Sequence, residues 1–234
     1  MPYDKNMFRI KICGITNVAD ALATADAGAD AIGLNFYRGS KRFIDADSAL
    51  QIITASSGRT EPVGVFVNET VQAICQACRE ANLTTIQLHG EKRPDTIKLD
   101  IGLHDRGVST PNLSIIRAHS FGPRGMAAVY EDMFDARGDA ADAVLVDAAA
   151  PGVYGGTGQT IDWHRLVNYE ESIGRVPLIL AGGLKPENVA EAIRIVRPHA
   201  VDVASGVESS PGKKDHAKIR DFVAAAREAF AQLK

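Results

Sequence analysis

Arg9-Ile-Lys-Ile-Cys-Gly-Ile-Thr16 decides the fold. Its first half is a short apolar, β-branched strand, and its second half a turn whose only glycine is Gly14. A doubly wound nucleotide-binding sheet would follow its first strand with a G-x-G-x-x-G turn, and none is present. Outward from it, similar runs recur at Ala31–Phe36, Val63–Val67, Thr85–His89, Leu113–Ala118, Ala143–Asp147, Pro177–Ala181 and Ala200–Ala204. Segments with helical spacing lie between them, at 17–27, 45–55, 69–81, 125–136, 162–172 and 186–196. A last one follows at 215–233, where Ile219, Phe222, Val223, Ala226, Phe230 and Leu233 share one face. Only the 90–112 stretch, with Pro94, Gly102, Gly107 and Pro111, has no clear helix. Strand and helix alternate at roughly 25 to 35 residues per unit, the size of a βα repeat. Eight such units in 234 residues predict a (β/α)8 barrel, an α/β fold, as one domain over 1–234 with no linker or composition break.

Composition narrows the function. With 45% hydrophobic and 24% charged residues and a formal net charge of -3, the chain is neither disordered nor basic enough for nucleic acid. The first residues, Met-Pro-Tyr-Asp-Lys-Asn-Met-Phe, form no signal peptide, and no apolar run nears the ~20 residues of a membrane span. A soluble, cytoplasmic chain without membrane or nucleic-acid partners is expected. The three cysteines, Cys13, Cys75 and Cys78, fit a reducing compartment. Cys75 and Cys78 form a C-x-x-C, but no second pair completes a zinc set, so they read as one face of a helix. His104, His119, His164, His199 and His216 have no metal-ligand spacing.

A barrel of this kind keeps its chemistry where strands run into helices. The residues ending the strands are Cys13, Asn35, Asn68, His89, Arg117, Asp147, the Gly182-Gly183 pair and Ser205-Gly206. Side chains two apart share a face, which turns Lys11 and Cys13 inward, and likewise Gln87 with His89, Leu145 with Asp147, and Asp202 with Ala204. Closure makes strands one and eight neighbours, so Lys11 and Asp202 are expected to pair inside the barrel, since a buried charge without a partner is costly. Gly182-Gly183 and Ser205-Gly206-Val207 follow strands seven and eight, where barrels commonly bind phosphate through backbone N–H groups. Taken singly, such glycines make tight turns. A third glycine loop, Gly155-Gly156-Thr157-Gly158, follows strand six.

Taken together, Lys11-Ile-Cys-Gly-Ile-Thr16, Val63-Gly-Val-Phe-Val-Asn68, Gln87-Leu-His-Gly90, Leu145-Val-Asp147, Gly155-Gly-Thr-Gly158 with Asp162-Trp163, Ala181-Gly-Gly-Leu-Lys-Pro-Glu-Asn-Val189 and Val201-Asp-Val-Ala-Ser-Gly-Val-Glu208 resemble the phosphoribosylanthranilate isomerase family. The resemblance keeps the motif order from strand one to the last helix. It implies a cofactor-free TIM barrel of tryptophan biosynthesis that turns N-(5'-phosphoribosyl)anthranilate into 1-(2-carboxyphenylamino)-1-deoxyribulose 5-phosphate, the third step from chorismate. The Amadori rearrangement it implies uses Asp147 as the acid that protonates the ring oxygen and Cys13 as the base that removes the C2 proton. Each must then hold the protonation state opposite to its solution default. Burial is expected to raise Asp147, and a cation such as Lys11 to lower Cys13. Arg42 matches the arginine for the anthranilate carboxylate, His89 borders the substrate, and Gly182, Gly183, Ser205 and Gly206 match the phosphate site. The pattern departs at Ala204, where serine is common, at Ile161, where phenylalanine is usual, and in a long 90–140 stretch. Other readings of the same residues are a phosphosugar barrel acting on a histidine-pathway aminoaldose, or a phosphosugar-binding relative without catalysis. Cys13 argues against the first, and the pair Cys13 and Asp147 against the second. A monomer and a homodimer are both compatible with the sequence.

Overall fold

Eight parallel strands pair in sequence order, and the eighth returns to the first, closing a barrel. The computed structural model describes residues 7–90, 113–133, 141–148 and 161–233. The strands are β1 (Ile10–Cys13), β2 (Ala31–Asn35), β3 (Glu61–Val67), β4 (Thr85–His89), β5 (Ser114–Ser120), β6 (Ala143–Asp147), β7 (Leu178–Leu180) and β8 (Ala200–Val203). Alternation along each strand sorts side chains into two layers. Ala31, Val63, Ile116, Ala118, Ala143, Leu145, Ile179 and Ala200 fill the interior together with Phe8, just ahead of β1. Ile10, Ile12, Ile32, Leu34, Val144, Val146, Leu178, Leu180, Val201 and Val203 face the helices.

Helices Val18–Asp26, Ala46–Ala55, Val71–Glu80 and His216–Gln232 start where the sequence supplies a cap. Asn17, Asp45, Thr70 and Asp215 each accept a hydrogen bond from a first-turn backbone N–H, meeting donors that have no partner within the helix. Helices Met126–Met133 and Val189–Val196 also fall within their expected segments. The 162–172 segment is different: a 3-10 turn, Trp163–Leu166, is followed by a short helix, Glu170–Ile173. Asn168 lies between them at φ 59°, a left-handed conformation that no continuous right-handed helix admits. The expected Gly155–Gly158 loop and the 90–112 connection beyond Gly90 lie outside the described residues.

Two further differences concern the site. β5 runs on to Ser120, so Arg117 lies within the strand rather than at its end. Its neighbours Ile116 and Ala118 face the interior, which turns Arg117 outward, where it is buried and donates to the carbonyl of Gly90. An antiparallel hairpin also stands between β8 and the last helix, β9 (Glu208–Ser210) with β10 (Lys213–Lys214). It turns at Pro211-Gly212, with Gly212 at φ 81°. A Pro-Gly pair favours a turn, but the sequence reading did not single this one out.

Cys75 and Cys78 sit on helix Val71–Glu80 and are not joined in a disulfide, and burial pushes Cys78 up to about 12. This is a packed helix face and not a reactive pair.

Candidate active site

Cys13, Arg42, His89, Asp147, Gly182, Gly183, Ser205 and Gly206 all line one cavity at the C-terminal end of the barrel. Asn35, Tyr37, Ser40, Gln87, Asp202 and Ala204 line it as well. Strand parity delivers these groups to a single mouth, because each is an inward-facing position near the end of its strand or lies in the loop that follows.

Beneath the mouth a buried polar network crosses the barrel. Lys11, fully buried, donates to Asp202 Oδ1 at 2.7 Å and to Gln87 Oε1 at 2.8 Å. β1 and β8 set Lys11 directly opposite Asp202, so the expected pair is present. The pair satisfies two charges that would each be costly alone. Burial works against the charge on Lys11, but Asp202 and Cys13 outweigh it and raise the ammonium above its ordinary value. With its oxygen taken by Lys11, the Gln87 amide presents Nε2 to His89 Nε2 at 2.7 Å. Accordingly His89 Nε2 accepts, and the ring proton is assigned to Nδ1. Burial first, then Lys11, Arg117 and His119, lower His89 to about 3, so it is a neutral neighbour of the site.

Asp147 and Cys13 come from β6 and β1, three strand positions apart round the ring. Burial, reinforced by Asp202, raises Asp147 from 3.8 to about 6, against the opposing pull of the Ala148 N–H and Lys11. The direction is the one an acid requires. Cys13 behaves differently from expectation: burial raises its thiol above 9.0, although Lys11, Lys214 and Arg42 pull it down. Lys11 does not prevail because its charge is shared with Asp202, which itself acts to raise the thiol. Room for Cys13 comes from Gly33, directly opposite on β2. A Cβ at Gly33 would lie 2.6 Å from Cys13 Sγ. Sequence reading did not single out Gly33, because a lone strand glycine has many explanations.

Arg42 follows β2 in a loop folded by its own side chains. Asn35 Nδ2 donates to Ser40 Oγ at 3.2 Å, and that oxygen accepts the Arg42 backbone N–H at 3.1 Å. The arginine stem crosses over Gly14, where a Cβ would come within 2.4 Å of Arg42 Cδ. Among the described residues lining the cavity, Arg42 is the one permanent cation.

The two glycine loops touch each other. Gly182 and Gly183 take φ 83° and 65°, open to glycine at little cost. A Cβ on Gly206, in the 3-10 turn Ser205–Val207, would fall 1.9 Å from the Leu184 carbonyl oxygen. Asn188 Nδ2 donates to Gly183 O at 3.0 Å and braces the first loop. Among the described residues, no three His, Cys, Asp or Glu side chains are grouped to hold a metal, and no helix is long and apolar enough to cross a membrane.

A sequence-family profile for N-(5'phosphoribosyl)anthranilate isomerase matches residues 10–225. The N-(5'-phosphoribosyl)anthranilate isomerase of Acidithiobacillus ferrooxidans is 45% identical over 221 residues, 94% of this chain and 98% of that protein. The crystal structure of phosphoribosyl anthranilate isomerase from Thermotoga maritima superposes with a TM-score of 0.79 at 39% identity, covering 95% of this chain and 100% of that one. A crystal structure of a phosphoribosyl anthranilate isomerase in complex with reduced 1-(o-carboxyphenylamino)-1-deoxyribulose 5-phosphate gives 0.76 at 36% identity, over 95% and 100%.

Proposed function

The chain belongs to the N-(5'-phosphoribosyl)anthranilate isomerase family, and from that premise we propose that the cavity at the C-terminal end of its barrel carries out the reaction with Asp147 as acid and Cys13 as base. It is an isomerase of tryptophan biosynthesis, acting on N-(5'-phosphoribosyl)anthranilate by an Amadori rearrangement. The observation that carries the site assignment is that Cys13 and Asp147 line one cavity from separate strands, together with a fixed cation and two touching glycine loops.

The substrate has an aryl carboxylate, a ribose and a phosphate. Arg42 is the group in the cavity suited to the carboxylate, because a guanidinium offers a planar fork of donors to a planar anion. Gly182, Gly183, Ser205 and Gly206 suit the phosphate, since their backbone lets an anion approach the N–H groups closely. His89, neutral and held by Gln87, forms part of the wall and moves no proton. Asp147 gives its proton to the ring oxygen as the C1–O bond breaks, leaving a Schiff base at C1. Cys13 as thiolate then takes the proton from C2, and the resulting enolamine tautomerises to the ketose. Both groups act from the less common member of their protonation pair, as paired acids and bases in closed sites do.

Residues 1–234 are proposed to form a single catalytic domain acting in the cytoplasm, as a monomer or homodimer, with this phosphosugar as its small-molecule partner. Growth rescue tests the function: expression in a tryptophan auxotroph lacking this isomerase should restore growth without tryptophan. Failure of a well-expressed chain to restore it would contradict the reading.

A further inference from the structure

Glu208, at the start of β9, is buried and carries a charge outside the cavity. It takes two donors from Arg42, Nε to Oε1 at 2.7 Å and Nη2 to Oε2 at 2.7 Å. Lys214 on β10 has a fully buried side chain, and its Nζ joins the same cluster. It reaches Glu208 Oε1 at 3.1 Å, the Cys13 carbonyl at 2.6 Å and the Ala204 carbonyl at 3.0 Å. The hairpin turn is anchored in turn, since Thr16 Oγ1 donates to Gly212 O at 2.7 Å and the Lys214 N–H donates to Asp20 Oδ2 at 3.1 Å. One short hairpin thus ties together the end of the thiol strand, the loop after β8 and the arginine.

The arithmetic of donors gives this contact a purpose. A guanidinium has about five N–H groups in a rigid plane. Glu208 uses two of Arg42's, on the Nε edge. That fixes the plane of the guanidinium while leaving the Nη1 edge for a second anion. An arginine on a loop without such a partner would lose much side-chain freedom on meeting its ligand, and holding it beforehand removes that cost from binding. The cluster keeps a net positive charge, because one carboxylate lies between two cations. Burial by itself would raise Glu208, and Arg42 with Lys214 overcomes it and holds the carboxyl below its ordinary range, so the anion persists at neutral pH.

We propose that Glu208 is a positioning residue for substrate recognition, holding Arg42 by its Nε edge so that the opposite edge receives the aryl carboxylate, with Lys214 joining this clamp to the strand that carries Cys13. The inference rests on the reading of Arg42 as the carboxylate group. It assigns a function to the β9–β10 hairpin, which contributes no residue to the cavity lining and contacts it from behind, at Arg42, Cys13 and Ala204.

The test compares two inhibitors on the full chain. One is reduced 1-(o-carboxyphenylamino)-1-deoxyribulose 5-phosphate, the other its phenylamino counterpart without the carboxylate. In Glu208→Gln the inhibition constant of the first should rise about tenfold or more, as expected when a bidentate clamp is loosened, while that of the second stays within about twofold. Glu208→Asp retains the charge but is one methylene too short to keep both contacts, and it should show the same selectivity with a smaller loss. It also serves as the comparison should Glu208→Gln not fold. Equal weakening of both inhibitors would assign Glu208 a merely structural role and overturn the proposal. So would no change, or tighter binding of the carboxylate-bearing inhibitor. Wild-type protein that binds neither inhibitor would instead overturn the function read for the cavity.

Discussion

Replacing Asp147 by Asn should change the shape of the pH profile as well as the rate. The wild-type pair has Asp147 at about 6 and Cys13 above 9.0, and turnover needs the acid protonated and the thiol ionised. That form carries the same number of protons as the dominant one, ionised Asp147 with neutral Cys13, so its share does not vary with pH between the two values. The share is set by the gap between the two values, so it is a small minority of the molecules, and it grows about tenfold for each unit by which burial lifts Asp147. With Asp147 at its ordinary 3.8 the share would be smaller by about a further 150-fold, which is the advantage that burying the carboxyl confers. For the wild type, kcat/KM should therefore rise up to pH ~6 and then stay level until the thiol, held above its ordinary value by burial, ionises. In Asp147→Asn the limb near pH 6 has no group to produce it. Residual kcat/KM should be at least about a hundredfold lower at pH 7 and should climb about tenfold per unit with the thiolate, roughly a hundredfold from pH 6.5 to 8.5. Substrate consumption followed from pH 5 to 10 reads both profiles. A variant that keeps the level region, or a wild type whose kcat/KM falls steadily above pH 6, would refute the coupling of the two groups.

Cys13→Ser should lose at least about a hundredfold in kcat/KM with an unchanged melting temperature, since a hydroxyl does not ionise in this range; steady-state kinetics beside a thermal melt check it. Gly33→Ala would set a methyl 2.6 Å from Cys13 Sγ and 2.9 Å from Cys13 Cα, and a displaced thiol should cost about a hundredfold in kcat/KM. The same variant with normal turnover would show that the thiol needs no such room. Lys11→Met strands the Asp202 carboxylate inside the barrel and should destabilise by about 3 to 5 kcal/mol. In urea unfolding, Lys11→Met combined with Asp202→Leu should recover at least half of that loss.

The barrel was legible because alternation and closure are local rules applied eight times. Those same rules brought Lys11 to Asp202, 191 positions along the chain, from parity and ring closure alone. Helix 162–172 was misread because its apolar spacing is helical while Asn168 adopts a left-handed conformation, which composition does not reveal. Arg117 was misplaced by three residues of strand length, enough to move it from a strand end to an outward position inside the strand. The eight residues proposed from the sequence line one cavity, but Tyr37 and Gly33 were not singled out, and the direction of the Cys13 shift was not legible, since it depends on how burial compares with three cations and Asp202. The clamp on Arg42 was invisible for a different reason. Glu208 lies 166 positions away, on a hairpin whose two short strands leave little periodicity to read.

The most direct test is turnover of N-(5'-phosphoribosyl)anthranilate by the purified chain, with the product identified and with Cys13→Ser and Asp147→Asn run beside it. The account predicts conversion to 1-(2-carboxyphenylamino)-1-deoxyribulose 5-phosphate by the wild type and a loss of at least about a hundredfold in each folded variant. A wild type that leaves the substrate unchanged, or a folded variant at either position that turns it over at the wild-type rate, would contradict it.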